Sequence, residues 1–331
     1  MGAVISKIEY YLPETVLDND HLAKEYPDWS AEKIESKVGI RNRHVVREDE
    51  TALDLAVKCG EKILADYDKG KVDFLILCTQ SPEYYLPTSA CILQDKLGLS
   101  TGIGAFDINL GCSGYIYGLA IAKGLISAGV ARCVLLFMSE TYTKHIHPKD
   151  RANRTIFGDA AAGTIVEKSD KEGISEFSLG TDGRGYKNLI IPNGGLRNRY
   201  DPSAREISDA GSVRTANHLY MNGPEIFNFT IEAVPKLVSD VLLKNALTLD
   251  QVDYVIFHQA NKYMLEYLKS KIKIPKEKFY INMVDTGNTV SATIPIALKQ
   301  CLDTGLLQKG QRVLLIGFGV GYSFGGCVVR V

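Results

Sequence analysis

The amino-acid sequence predicts an α/β protein built from two duplicated halves, on three observations. Short strand-like runs alternate with helical patterns along nearly the whole chain, as expected for strands covered on both faces. Val72-Asp73-Phe74-Leu75-Ile76-Leu77 returns as Val252-Asp253-Tyr254-Val255-Ile256-Phe257, an offset of 180 (252 against 72). Further matches keep the same order: Val134-Leu135-Leu136 with Val313-Leu314-Leu315 at 179, Cys112 to Gly129 with Asn288 to Gly305 at 176, and Phe157-Gly158 with Phe324-Gly325 at 167. An ordered, slowly drifting offset reads as duplication. Length agrees, since 331 residues correspond to about two domains.

The elements follow in order. A first strand is expected over 3–9 and a helix over 53–66. Phe74–Cys78 is a short apolar run, read as a buried strand. A helix over 87–97, a strand at Gly104–Ile108 and a helix over 113–128 come next, then strands at Cys133–Met138 and Gly163–Glu167. The second half repeats the scheme with helices over 222–245, 261–271 and 289–304 and strands over 253–257, 279–282, 312–317 and 324–330. The segment 180–220, rich in Gly, Arg and Asn, reads as irregular and functional. The boundary between the halves is placed in the charged turn at residue 172, giving units 1–172 and 173–331.

Bulk composition excludes several classes. The formal net charge is −1, so no global field draws the chain to nucleic acid or membrane. No apolar run approaches a membrane span, and residues 1–20 lack the features of a secretion signal. Seven cysteines without a C-x-x-C pair suggest neither a zinc site nor a disulfide framework, and point to a reducing cytoplasm.

The duplication makes Asn288 the counterpart of Cys112 and His258 the counterpart of Cys78. A pseudo-twofold fold would bring Cys112, His258 and Asn288 to one centre. Cys112 lies between a strand and a long helix, where helix N-terminal amides favour thiolate; the bland alternative is a small buried hydrophobe. His258 ends a buried strand, the edge at which open α/β folds bind ligands; otherwise it is a satisfied core histidine. Asn288 suits an N-cap as well as a catalytic role. Gly317-Phe318-Gly319-Val320-Gly321 resembles a nucleotide loop, but a strand follows it and no helix, so that reading fails. Its backbone amides could instead help an oxyanion hole. His145-x-His147 reads as a solvated loop, not a metal site. Lys262, Lys269, Lys271, Lys273, Lys276 and Lys278 form either a solvated face or a docking surface for an acidic partner.

Taken in order, Gly39-Ile40-Arg41-Asn42-Arg43-His44, Pro87-Thr88-Ser89-Ala90, Cys112-Ser113-Gly114, Phe157-Gly158-Asp159, His258-Gln259-Ala260-Asn261, Gly287-Asn288-Thr289 and the Gly-rich C-terminus resemble the landmarks of the ketoacyl-acyl-carrier-protein synthase III family. That resemblance spans the chain. It implies a thiolase-like fold, two α/β halves layered αβαβα. It also implies a decarboxylative condensation of an acyl-CoA, its acyl group held on Cys112, with malonyl-acyl carrier protein to give a 3-oxoacyl product. Cys112 would be the nucleophile, the backbone amides of Cys112 and Val320 the oxyanion hole, and His258 with Asn288 the holders of the malonyl thioester.

The same resemblance assigns Leu86 to a partner's acyl pocket across a homodimer. It gives Arg151, Ile156, Phe157, Met221, Gly223, Phe227 and Asn261 to the CoA channel or acyl pocket; within the lysine cluster, Lys262 and Lys271 are the candidates for carrier docking. No cofactor or metal is implied beyond the CoA thioester substrate, and the setting is cytoplasmic.

Four departures fall on carrier and CoA contacts. Tyr263 stands where the family usually has Arg, Pro224 replaces an Asn, Val320 interrupts a glycine run, and the adenine-stacking Trp has no counterpart in register, because Trp29 lies about four positions upstream while Ile34 falls near the site. Two alternatives remain open: an acyltransferase that moves the Cys112-bound group to oxygen or nitrogen, and a noncatalytic partner subunit of a condensing complex.

Overall fold

The computed structural model describes residues 2–209 and 211–331. Two five-stranded sheets carry the fold. The first contains β1 (Gly2–Tyr11), β2 (Phe74–Cys78), β3 (Gly104–Ile108), β4 (Cys133–Glu140) and β5 (Ala160–Ser169), in the spatial order β3-β2-β4-β5-β1. The second contains β6 (Ser178–Thr181), β7 (Tyr254–Phe257), β8 (Phe279–Tyr280), β9 (Arg312–Gly319) and β10 (Ser323–Arg330), in the order β8-β7-β9-β10-β6. Position for position the two orders are the same. In each, three parallel strands are followed by two antiparallel ones.

Registers repeat as well. Phe74 pairs with Val134 in the first sheet and Tyr254 with Val313 in the second, which preserves the offsets of 180 and 179. Across the antiparallel pairs the partners are Val134 with Val166 and Val313 with Val329, an offset of 163 (329 against 166). The Phe157-Gly158 match at 167 is therefore out of register by four residues, and the counterpart of Phe157 is Val320. The reason is a difference in connection. A tight turn joins β9 to β10, whereas residues 141–159 separate β4 from β5.

Strand alternation sorts the side chains into layers. Ile76 and Ile256 face inward, onto α3 (Gly114–Ser127) and α6 (Thr293–Asp303), which share one core cluster between the sheets. Leu75 and Leu77 face outward, against α1 (Ala52–Leu64) and α2 (Ser89–Lys96). Val255 and Phe257 do the same against α4 (Gly223–Lys244) and α5 (Lys262–Ile272). The result is helix, sheet, helix, sheet, helix. Both central helices end at glycines with positive φ, Gly129 at +75° and Gly305 at +71°, at equivalent points of the repeat.

Some of the chain was not anticipated. Residues 15–45 form a hairpin, Thr15–Asp18 with Asn42–Val45, enclosing helices Asn19–Glu25 and Ala31–Val38. The segment 180–220 contains the end of β6 and two short strand pairs. The chain passes from the first sheet to the second between Ser169 and Ser178. Among the described residues, no helix is long and apolar enough to cross a membrane.

Candidate active site

Cys112 follows β3 and stands two residues before α3, only 5% exposed. The last hairpin of the second half presses directly onto it. A Cβ on Gly319 would lie 2.7 Å from both Cβ and Sγ of Cys112, so only glycine fits there. The backbone amides of Cys112 and Val320 lie near Sγ and favour its charged form. Burial nevertheless pushes the thiol up to about 12, outweighing the two amides, and the Glu140 carboxyl adds to the rise. The expected helix-terminus thiolate is thus corrected: desolvation outweighs the amides and the resting group is a neutral thiol.

His258 is the first residue after β7 and is 2% exposed. Its Nδ1 lies 2.7 Å from Thr293 Oγ1, and Thr293 Oγ1 lies 3.0 Å from the Val290 carbonyl. When the Thr293 hydroxyl donates to Val290, His258 donates from Nδ1 and Nε2 is a bare acceptor. When the hydroxyl turns to Nδ1, Nε2 carries the proton and donates. One hydroxyl therefore accommodates both neutral tautomers. Burial drives the imidazole down to about 3, with the Val290 carbonyl opposing, so His258 is neutral at ordinary pH. Its counterpart Cys78 is a buried thiol bonded to the Leu110 carbonyl at 3.1 Å.

Asn288 does not cap α6. Its Oδ1 accepts the Val290 amide at 2.9 Å, and its Nδ2 donates to the Ala260 carbonyl at 3.3 Å. With oxygen anchored, the amide NH2 has a second proton to offer. Val290 ties the two donors together, its amide holding Asn288 and its carbonyl facing Thr293. It does so at φ +57°, a strained conformation for a β-branched residue.

Cys112, His258 and Asn288 line one cleft together with Ile156, Phe157, Met221 and Asn261. Other predicted residues fall elsewhere. Asn261 lines the cleft but spends its carboxamide oxygen capping α5, on the Met264 amide at 2.9 Å. Phe227 packs on Tyr263 and Tyr267, while its neighbour Ile226 lines the cleft. Gly223 begins α4. Leu86 is 82% exposed beside Tyr84 and Tyr85, outside this chain's own cleft. Lys262 lies under Gly39, and Lys271 donates to the Ile231 carbonyl at 2.8 Å.

Around Trp29, the Arg151 guanidinium lies 4.5 Å from the ring centre and Lys37 at 5.0 Å, whereas Ile34 is fully buried. Sequence reading also missed Thr293 and Val290, which carry no local signal, and Glu140, a buried carboxyl held by the Gln80 amide and Ser81 hydroxyl and raised well above the usual range by desolvation.

Known proteins share this arrangement. The family model described as 3-oxoacyl-[acyl-carrier-protein (ACP)] synthase III matches residues 106–183, and the one for its C-terminal part matches residues 242–331. The beta-ketoacyl-[acyl-carrier-protein] synthase III of Clostridium perfringens is 34% identical over 324 residues, 97% of each chain. A crystal structure of a 3-oxoacyl-(acyl-carrier-protein) synthase III superposes with a TM-score of 0.98 at 50% identity, covering 100% of both chains. The Burkholderia xenovorans 3-oxoacyl-(acyl-carrier protein) synthase gives 0.92 at 37% identity, covering 100% of this chain and 94% of that one. With its two thiolase-like halves, the chain belongs to the 3-oxoacyl-[acyl-carrier-protein] synthase III family.

Proposed function

We propose that this acyltransferase condenses an acyl-CoA with malonyl-acyl carrier protein and that Cys112, His258 and Asn288 carry the chemistry. The observation that carries the assignment is the convergence in one cleft of a thiol, two backbone amides beside it, a neutral imidazole and an anchored carboxamide.

In acyl transfer, His258 Nε2 takes the thiol proton as Cys112 sulfur attacks the thioester carbon. The amides of Cys112 and Val320 hold the developing oxyanion. The bond to CoA sulfur breaks and the proton leaves with CoA. In condensation, the Asn288 NH2 and His258, as its Nε2–H tautomer, donate to the malonyl thioester oxygen. Carbon dioxide departs, and its bonding pair forms the enolate, which attacks the acyl carbon. Cys112 sulfur is released and regains a proton from solvent.

Trp29 and Arg151, with Lys37 beside them, form an aromatic and cationic rim suited to a nucleotide base and phosphates, and we assign them to CoA. The apolar run Tyr84, Tyr85 and Leu86, with Leu196 89% exposed, fits burial by a second copy, hence a homodimer. The free cysteines fit a cytoplasmic setting.

Intact-protein mass spectrometry with a panel of acyl-CoAs, then malonyl carrier protein, tests the reading. The expected result is an adduct that Cys112→Ser abolishes and that malonyl carrier clears with loss of carbon dioxide. An adduct that malonyl carrier leaves in place would favour plain acyl transfer, and the absence of any adduct would favour a noncatalytic subunit.

A further inference from the structure

The oxyanion donor at Val320 sits on the turn between β9 and β10, between two glycines. Gly319 and Gly321 flank it at φ +158° and +137°, and glycine leaves the neighbouring peptides free to rotate. Yet a donor stabilises a transition state only if it is aimed beforehand. Two buried hydroxyls supply the aim. Ser323 Oγ donates to the Val320 carbonyl at 3.0 Å, and Ser113 Oγ lies 2.5 Å from Ser323 Oγ. Ser323 has one proton, already placed on Val320, so Ser113 donates the second bond. Ser113 is the N-cap residue of α3, where serine ordinarily accepts from a first-turn amide. Here its hydroxyl makes no cap bond and is directed to the other half of the molecule.

We propose that Ser113 and Ser323 are positioning residues for the oxyanion hole, the chain Ser113 to Ser323 to Val320 carbonyl holding the Val320 amide on Cys112. This rests on the acyl-transfer step above and is independent of the condensation that follows. In that step the Cys112 sulfur forms its bond to the acyl carbon and the carbonyl electron pair moves to oxygen. The carbon–sulfur bond to CoA then breaks, and the thiol proton passes through His258 to the departing sulfur. The two serines act only through Val320.

The test compares Ser323→Ala, Ser113→Ala, the double variant and Ser323→Thr, which keeps the hydroxyl. Each alanine variant is expected to slow Cys112 acylation roughly ten- to a hundredfold at unchanged half-saturating acyl-CoA. The double variant should be no worse than the poorer single, because the chain acts as a unit, and threonine should restore the rate. Infrared spectra of a 13C-labelled acyl carbonyl on Cys112 should shift to higher frequency in Ser323→Ala, reporting weaker hydrogen bonds. Iodoacetamide alkylation of Cys112 in the free enzyme gives a readout without substrate. Turning the Val320 amide away from Sγ slows it, whereas general loosening speeds it. Unchanged acylation and carbonyl frequency, or faster alkylation, would overturn the proposal. If the wild type accepts no acyl-CoA, the acyl-transfer reading falls while alkylation still decides the role of Ser323.

Discussion

Alkylating the free enzyme with iodoacetamide across pH 6 to 10 measures how much thiolate Cys112 holds at rest. With the thiol at about 12, roughly one molecule in 10⁵ is ionised at pH 7, against about one in 30 for an ordinary thiol at 8.5. The rate, followed at the peptide level by mass spectrometry, should rise about tenfold per pH unit without a plateau. At pH 7 it should lie about three thousandfold below that of an unperturbed model thiol measured in parallel. The five units between pH 7 and 12 amount to about 7 kcal/mol that a resting thiolate would have to overcome. If His258 accepts the proton in concert with attack, no free thiolate need form, and His258→Ala should lower acylation by about 10² to 10⁴. A plateau below pH 8 would refute the reasoning, since it would show a thiolate stabilised at rest.

The other expectations are as follows. Asn288→Ala should reduce malonyl consumption about a hundredfold while leaving acyl-enzyme formation within a few-fold, read by separating the two half-reactions. Gly319→Ala places a methyl 2.7 Å from Cys112 Sγ, so acylation should collapse while circular dichroism remains native. Trp29→Ala should raise KM for acyl-CoA about tenfold with little change in kcat, because its interaction with CoA is the same in ground and transition states. Finally, burial pushes Cys59, Cys301 and Cys327 up to about 12. The folded chain keeps protons that the unfolded chain releases above about 8.5, so stability is full below that pH and declines as pH climbs toward 12. Tm should fall from pH 9 upward, and Cys327→Ala should flatten the slope.

The duplication was legible because strand pairing preserves sequence offset. Val72-Asp73-Phe74 and Val252-Asp253-Tyr254 occupy matching sites and so keep matching apolar runs. The false match of Phe157 with Phe324 shows the limit. Two-residue identity has little information, and only the ladder through Val166 and Val329 sets the register. The roles of Thr293, Ser113 and Ser323 depend on contacts across 35 to 210 positions, which no local pattern encodes. The thiol's ionisation was misjudged for another reason: a helix terminus is visible in sequence, but the burial that overrides it is a property of the packed whole.

The lodging of Gly319 against Cys112 also bears on how the enzyme is made and lost. Nucleophile and oxyanion donor are 208 positions apart (320 against 112), each on a different sheet, so neither half alone can hold a competent centre. During synthesis, activity waits for residues 320–331 to leave the ribosome and pair with β9. A denaturant that parts the two sheets separates nucleophile from donor, so turnover should report how closely the two halves are docked.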